Sequence, residues 1–120
     1  MQPDTSIFLV GPMGSGKSAV GRRLARELGR EFIDSDHLIE ARSGVDIPFI
    51  FEREGETGFR EREARVIDGF TQRPNIVLAT GGGSAQNPES RARLHERGLV
   101  VYLHTGVDQQ LKRTGGGRGR

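Results

Sequence analysis

The chain has 120 residues, no cysteine, and a formal net charge of +2 from 18 basic and 16 acidic side chains. That length gives one compact domain enough interior to need no covalent staple, and the lack of cysteine excludes disulfides and thiolate metal sites. The basic residues are all Arg except Lys17 and Lys112. Their signs interleave with acidic residues, as in Arg60-Glu61-Arg62-Glu63, in the manner of solvated helix faces. Aromatic residues are sparse and not interspersed with them as a base-stacking platform requires, so no nucleic-acid partner is expected. The early apolar run over 7–10 is too short for a leader's apolar stretch or a membrane span. A soluble, cytoplasmic protein with no membrane partner is expected.

Ser6 to Val10 reads as a buried strand closed by Gly11. Lys17 to Leu28 reads as a helix with Val20, Leu24 and Leu28 on its inner face, stopped by Gly29. Glu31 to Asp34 is a second strand, followed by a short helix around His37 to Arg42 that ends at Gly44. Asp46-Ile47-Pro48 starts a helix with Pro in the first turn, and another runs from near Thr57 to Gln72. Ile76 to Thr80 is a third strand, left through Gly81-Gly82-Gly83. Asn87-Pro88 opens a helix through Arg97, closed by Gly98, and Leu99 to Leu103 is a fourth strand. Thr105 with Asp108 is suited to cap a last helix through Lys112, and Gly115 to Arg120 has the composition of a loop. Strands alternating with helices call for an α/β fold with a parallel sheet and right-handed crossovers. The continuously apolar strands call for helices on both sheet faces.

Gly11-Pro12-Met13-Gly14-Ser15-Gly16-Lys17-Ser18 matches G-x-x-x-x-G-K-[ST] between a strand and a helix, the context this motif requires. Glycines let consecutive backbone N–H groups curl around phosphate oxygens, and the helix that follows aims its positive end at the same anion. Gly14, Ser15, Gly16, Lys17, Ser18 and Ala19 are therefore expected to hold nucleotide phosphates. Lys17 would meet the β- and γ-phosphates, and the Ser18 hydroxyl would serve Mg²⁺. A Gly-rich turn carrying a Lys by chance is the alternative. Against it, a compact ammonium stands here in a chain that otherwise uses Arg.

Asp34-Ser35-Asp36 lies at the C-terminal end of the second strand, the sheet edge where α/β ligands bind. Asp34 is placed to hold Mg²⁺ directly or through water. Asp36, two residues on, is placed to orient an acceptor hydroxyl and take its proton. A plain helix N-cap is the alternative for this pair. In Phe59-Arg60-Glu61-Arg62-Glu63, position 63 falls four residues from both Phe59 and Ile67, on the inward stripe. A buried carboxylate needs a partner, and Arg60 is the nearest candidate. Either Glu63 steadies Arg60 as a clamp for an anionic substrate, or the two form a surface ion pair of little consequence. The triple glycine offers backbone for close ligand approach, or is simply a flexible turn.

Together these pieces resemble the shikimate kinase family: GPMGSGKSAVGRRLA, EFIDSD, GFREREARVI, LATGGG and VVYL, in family order and spacing. The resemblance covers Ile7 to Arg120 and implies an adenylate-kinase-like P-loop NTPase fold with strand order 2-3-1-4-5. It implies ATP-dependent phosphorylation of the 3-hydroxyl of shikimate, on the route to chorismate and aromatic amino acids. By the family pattern Asp36, Arg60 and Gly82 contact shikimate, with Asp36 as base, and Glu63 positions Arg60. Asp34 and Ser18 serve Mg²⁺, and Arg120 stands where a lid arginine reaches the ATP phosphates.

Family members run on for some fifty residues past that arginine. The resemblance therefore implies a single domain over 1–120 that stops in its lid, 113–120, and lacks a fifth strand. Full-length relatives are expected to be monomers, whereas a bare strand at 99–103 is expected to self-associate. The alternatives are a gluconate-type kinase of the same fold, which gives no reason for the D-S-D, F-R-x-x-E and G-G-G set, and a non-catalytic nucleotide-binding fragment.

Overall fold

In the computed structural model, residues 4–12, 15–81 and 87–104 are described. The elements are β1 (Ser6–Val10), α1 (Lys17–Leu28), β2 (Glu31–Asp34), α2 (Ser35–Ser43), α3 (Ile47–Phe70), β3 (Ile76–Ala79), α4 (Pro88–Arg97) and β4 (Gly98–Tyr102). The four strands form one sheet in the order β2-β3-β1-β4, and every neighbouring pair is parallel. This is the expected order as far as the described strands reach.

Side chains alternate across a strand, and β1 shows the result. Phe8 and Val10 pack with Ile33, Ile76, Leu78, Ile67 of α3 and Leu94 of α4. Ile7 and Leu9 pack on the other face with Val77 and Ala25 of α1. Both faces of β1 and β3 are thus covered, which is why these strands read as unbroken apolar runs. A third cluster joins Ile39 of α2 to Ile50, Phe59 and Val66 of α3. β1 connects through α1 to β2 and β3 connects through α4 to β4, toward opposite ends of the sheet, and in open α/β sheets such a reversal marks where ligands bind, outside the C-terminal ends of the strands.

Three local expectations are corrected. In α1 the inward residues are Gly21, Leu24 and Ala25, while Val20 and Leu28 are each 43% exposed. A Cβ at position 21 would lie 2.4 Å from the Phe32 ring and 3.2 Å from Leu9. The helix therefore sits on the sheet through its smallest residue, which carries no hydrophobic signal. The second helix starts at Ser35, directly after the strand, because Asp34 itself caps it. The two helices expected near Asp46 and Thr57 are both present, as the two limbs of α3 on either side of a non-helical Gly55.

β4 begins one residue early, at Gly98, and is only half-buried, with Leu99 and Tyr102 each 46% exposed. Among the described residues it has a neighbour on one side only, β1. The helix expected through Lys112 and the loop after it lie outside the described residues. Among the described residues no helix is long and apolar enough to cross a membrane.

Candidate active site

The phosphate-loop motif occupies the turn from β1 into α1. Gly11 runs so close to the chain leaving β4 that a Cβ there would lie 2.4 Å from the Leu103 carbonyl oxygen. Gly16 ends the turn in the left-handed region (φ 86°, ψ 21°), caps α1 without a side chain, and is followed by a first turn with no acidic residue. The positive end of α1 is thus left to other anions. Lys17 Nζ donates to the Gly11 and Pro12 carbonyls, the latter at 3.0 Å, so the ammonium lies over its own loop. Partial burial lowers its pKa, and Asp36 and then Asp34 act in the opposite direction. Ser15 Oγ is buried with no hydrogen-bond partner among the described residues.

Asp34 divides its carboxylate. Oδ1 accepts from the Asp36 and His37 amides at 3.0 and 3.4 Å, which starts α2. Oδ2 accepts from Ser18 Oγ at 2.8 Å. The pair of oxygens that sequence assigned to a metal is thus assembled across α1 and β2, as a hydroxyl and a carboxylate of the kind Mg²⁺ takes. Asp36 is in the first turn of α2, and its Oδ1 is buried with no hydrogen-bond partner among the described residues. Burial raises its pKa, Asp34 and Glu40 raise it further, and Lys17 and Arg60 oppose them. A cleft of about 380 Å³ beside it is lined by Arg22, Phe32, Asp34, Asp36, His37 and Glu40.

Glu63 is buried at 2% exposure, as its place on the inward stripe predicts. Arg60 Nη1 donates to Glu63 Oε1 and Nη2 to Glu56 Oε2, both at 3.2 Å. Arg60 faces a second open cleft, shared with Glu56, Thr57 and Asn87.

Gly81 links the two carboxylates. A Cβ there would lie 2.4 Å from Glu63 Oε2 and 2.9 Å from Asp36 Oδ1. Sequence reasoning passed over Gly81 for its neighbour, and over Thr80, whose N–H and Oγ1 both donate to the Leu9 carbonyl. That bond ties the exit of β3 to β1, just before the phosphate loop. Gly14, Gly82 and Arg120 lie outside the described residues.

Gly81→Ala is expected to cost about 1–3 kcal/mol by overpacking. Gly69→Ala, where a Cβ meets nothing within 4 Å, should stabilise α3 by about 0.5–1 kcal/mol. Thermal or urea melts check both signs.

The model of the family described as shikimate kinase matches residues 13–120. The chain belongs to the shikimate kinase family. It is 61% identical over 109 residues to a shikimate kinase from a Psychrobacter species, an alignment covering 91% of this chain and 61% of the relative. The chain thus spans about three fifths of the length of that relative. Among solved structures it superposes on a shikimate kinase from Acinetobacter baumannii, described as in complex with shikimate, with TM-score 0.85 and 55% identity over 97% of this chain and 65% of that one. The shikimate kinase of Aquifex aeolicus superposes with TM-score 0.82 and 38% identity over 89% and 64% of the two chains. The fold is accordingly the α/β P-loop NTPase fold of shikimate kinases.

Proposed function

We propose that this chain carries the phosphate loop, base and acid-gripping arginine of an ATP-dependent shikimate kinase, an enzyme of the cytoplasm that makes shikimate 3-phosphate and ADP for aromatic amino-acid synthesis. The observation that carries the reading is the convergence of Asp36 and Glu63 on Gly81, with Lys17 acting on Asp36 from the phosphate loop and Arg60 bonded to Glu63. The Acinetobacter relative described with shikimate bound supports the choice of acceptor.

In this reading Gly14, Ser15, Gly16, Lys17, Ser18 and Ala19 hold the ATP phosphates, with Arg120 added by family pattern. Lys17 exchanges its two loop carbonyls for phosphate oxygens. Asp36, whose raised pKa gives it more proton affinity than an ordinary carboxylate, orients the acceptor hydroxyl and takes its proton. Arg60, steadied by buried Glu63, grips the acceptor's carboxylate, and Gly82 approaches it through backbone. Ser18 and Asp34 would hold Mg²⁺, Asp34 directly or through water, and the ion would supply neutralisation of phosphate charge.

Coupled ADP release with shikimate, gluconate and nucleoside monophosphates tests the reading. It should be run on this chain and on one extended with the remaining two fifths of a relative such as the Psychrobacter enzyme. ADP release that depends on shikimate is expected. Release with another acceptor and none with shikimate would sink it, and ATP binding without turnover in either form would favour a nucleotide-binding unit. Arg60→Ala is expected to weaken shikimate binding by about 2–5 kcal/mol, the cost of breaking a desolvated charge pair, with ATP affinity retained. Titration calorimetry with each ligand separates the two.

A further inference from the structure

We propose that Glu54 and Arg62 clamp the break in α3 and so hold Arg60 where it meets an anionic acceptor. The acceptor half of this inference rests on the function proposed above. At Gly55 the backbone has φ 74° and ψ −177°, a region essentially reserved for glycine. Glycine permits that turn but does not fix its angle, and helix ends next to a break have lost their regular hydrogen bonds. Arg60 stands only five residues beyond the break. Its partners Glu56 and Glu63 are on the same limb, so they order its side chain and do not act across the break.

Besides the buried cluster that Ile50 shares with Phe59 and Val66, two ties cross the break. Arg62 Nε and Nη2 donate to Glu54 Oε1 and Oε2 at 2.9 and 2.7 Å, a fork-on-fork pair with strong directional preference. Residues eight apart on a straight helix stand about 12 Å apart along its axis, outside the three- and four-residue spacing of ordinary helical pairs. This contact therefore belongs to the bent form. The sequence also makes room for it: a Cβ at Gly58 would lie 2.3 Å from Glu54 Cβ and 2.9 Å from its Oε1. The second tie is apolar, with Phe51 stacked on Phe59 at 4.8 Å between centroids. Arg60 and Arg62, two residues apart, leave nearly opposite sides of their limb. Arg62 thus acts on Arg60 through the backbone, as a positioning residue.

The test uses Glu54→Gln and the reversed pair Glu54→Arg with Arg62→Glu. The readouts are amide hydrogen exchange over 55–62 and over β1, and the KM or dissociation constant for shikimate and for ATP. Glu54→Gln should speed exchange at 56–60 and leave β1 protected. It should weaken shikimate about tenfold or more, with kcat and ATP affinity nearly unchanged, as expected when uniform binding is lost. The reversed pair should restore both. Wild-type values in Glu54→Gln, or loosening that includes β1, would overturn the clamp. If the unsubstituted protein binds no shikimate, the acceptor reading falls, and exchange at 56–60 still decides whether the clamp exists.

Discussion

Asp36→Asn is expected to abolish most phosphoryl transfer, leave ATP affinity nearly unchanged, and raise the melting temperature at neutral pH. The loss of transfer should be about 10²–10⁴-fold, the usual contribution of a positioned base. The gain in stability follows from the same burial. Asp36 is held above the ordinary carboxylate range by desolvation first, then by Asp34, with Lys17 opposing. A carboxyl whose pKa is raised on folding stabilises the fold below its unfolded pKa, and that contribution is lost as pH rises through the folded value. Ionised Asp36 is therefore a burden at neutral pH, which Asn lacks. The melting difference should favour the variant at pH 7 and shrink as the pH falls through the raised pKa. The acid limb of the wild-type rate profile should also lie above the usual carboxylate range. An Asn variant with wild-type turnover, or one less stable at pH 7 than in acid relative to wild type, would remove Asp36 from the role of base.

Lys17→Met should strip ATP binding. In the folded chain the ammonium lies against Gly11 and Pro12 carbonyls and faces Asp36 and Asp34. Without it, those two carboxylates confront the phosphates with no compensating charge on the loop. The expected cost is about 2–5 kcal/mol in ATP affinity, as for truncating one member of a desolvated charge pair. Arg should not rescue it, since a planar fork cannot replace a compact ammonium among loop carbonyls. Titration with a fluorescent ATP analogue reads the loss. A second effect distinguishes this charge from a merely structural Lys. Lys17 lowers the Asp36 pKa, so any residual activity in the Met variant should have its acid limb moved to higher pH. Unchanged ATP affinity together with an unmoved limb would refute the phosphate-loop assignment.

The fold and much of the candidate site's geometry were legible because their signals are short and chemical. β1 and β3 lie buried on both faces and therefore carry apolar runs. The Asp34 and Asp36 pair is one strand end read directly. Glu63 was found by spacing, since four residues from Phe59 and four from Ile67 place a carboxylate inside.

Most of what escaped involved either glycine or contact across a break. The inner face of α1 is centred on Gly21, which has no hydrophobicity to count. Gly81 matters for the atoms a side chain would strike, Glu63 Oε2 and Asp36 Oδ1, and no pattern of residue types records that. Glu54 and Arg62 are eight apart, a spacing that belongs to no regular helix, and only the bend at Gly55 makes them neighbours. The start of α2 was placed late because the helix-cap and chemical readings of the Asp34 and Asp36 pair were set against each other, when capping by Asp34 places the first helical residue directly after the strand.

That double service of Asp34 makes position 34 a single point of failure. One oxygen starts the helix that carries Asp36 and the other faces Ser18, so a substitution damages both jobs at once. Glu would be no refuge, since a longer arm shifts the carboxylate away from the amides two and three residues ahead. Drift at this position therefore has no gradual path in which helix initiation weakens first and the hydroxyl partner later. Helix initiation and the bond from Ser18 share one carboxylate, and selection on either acts on the other.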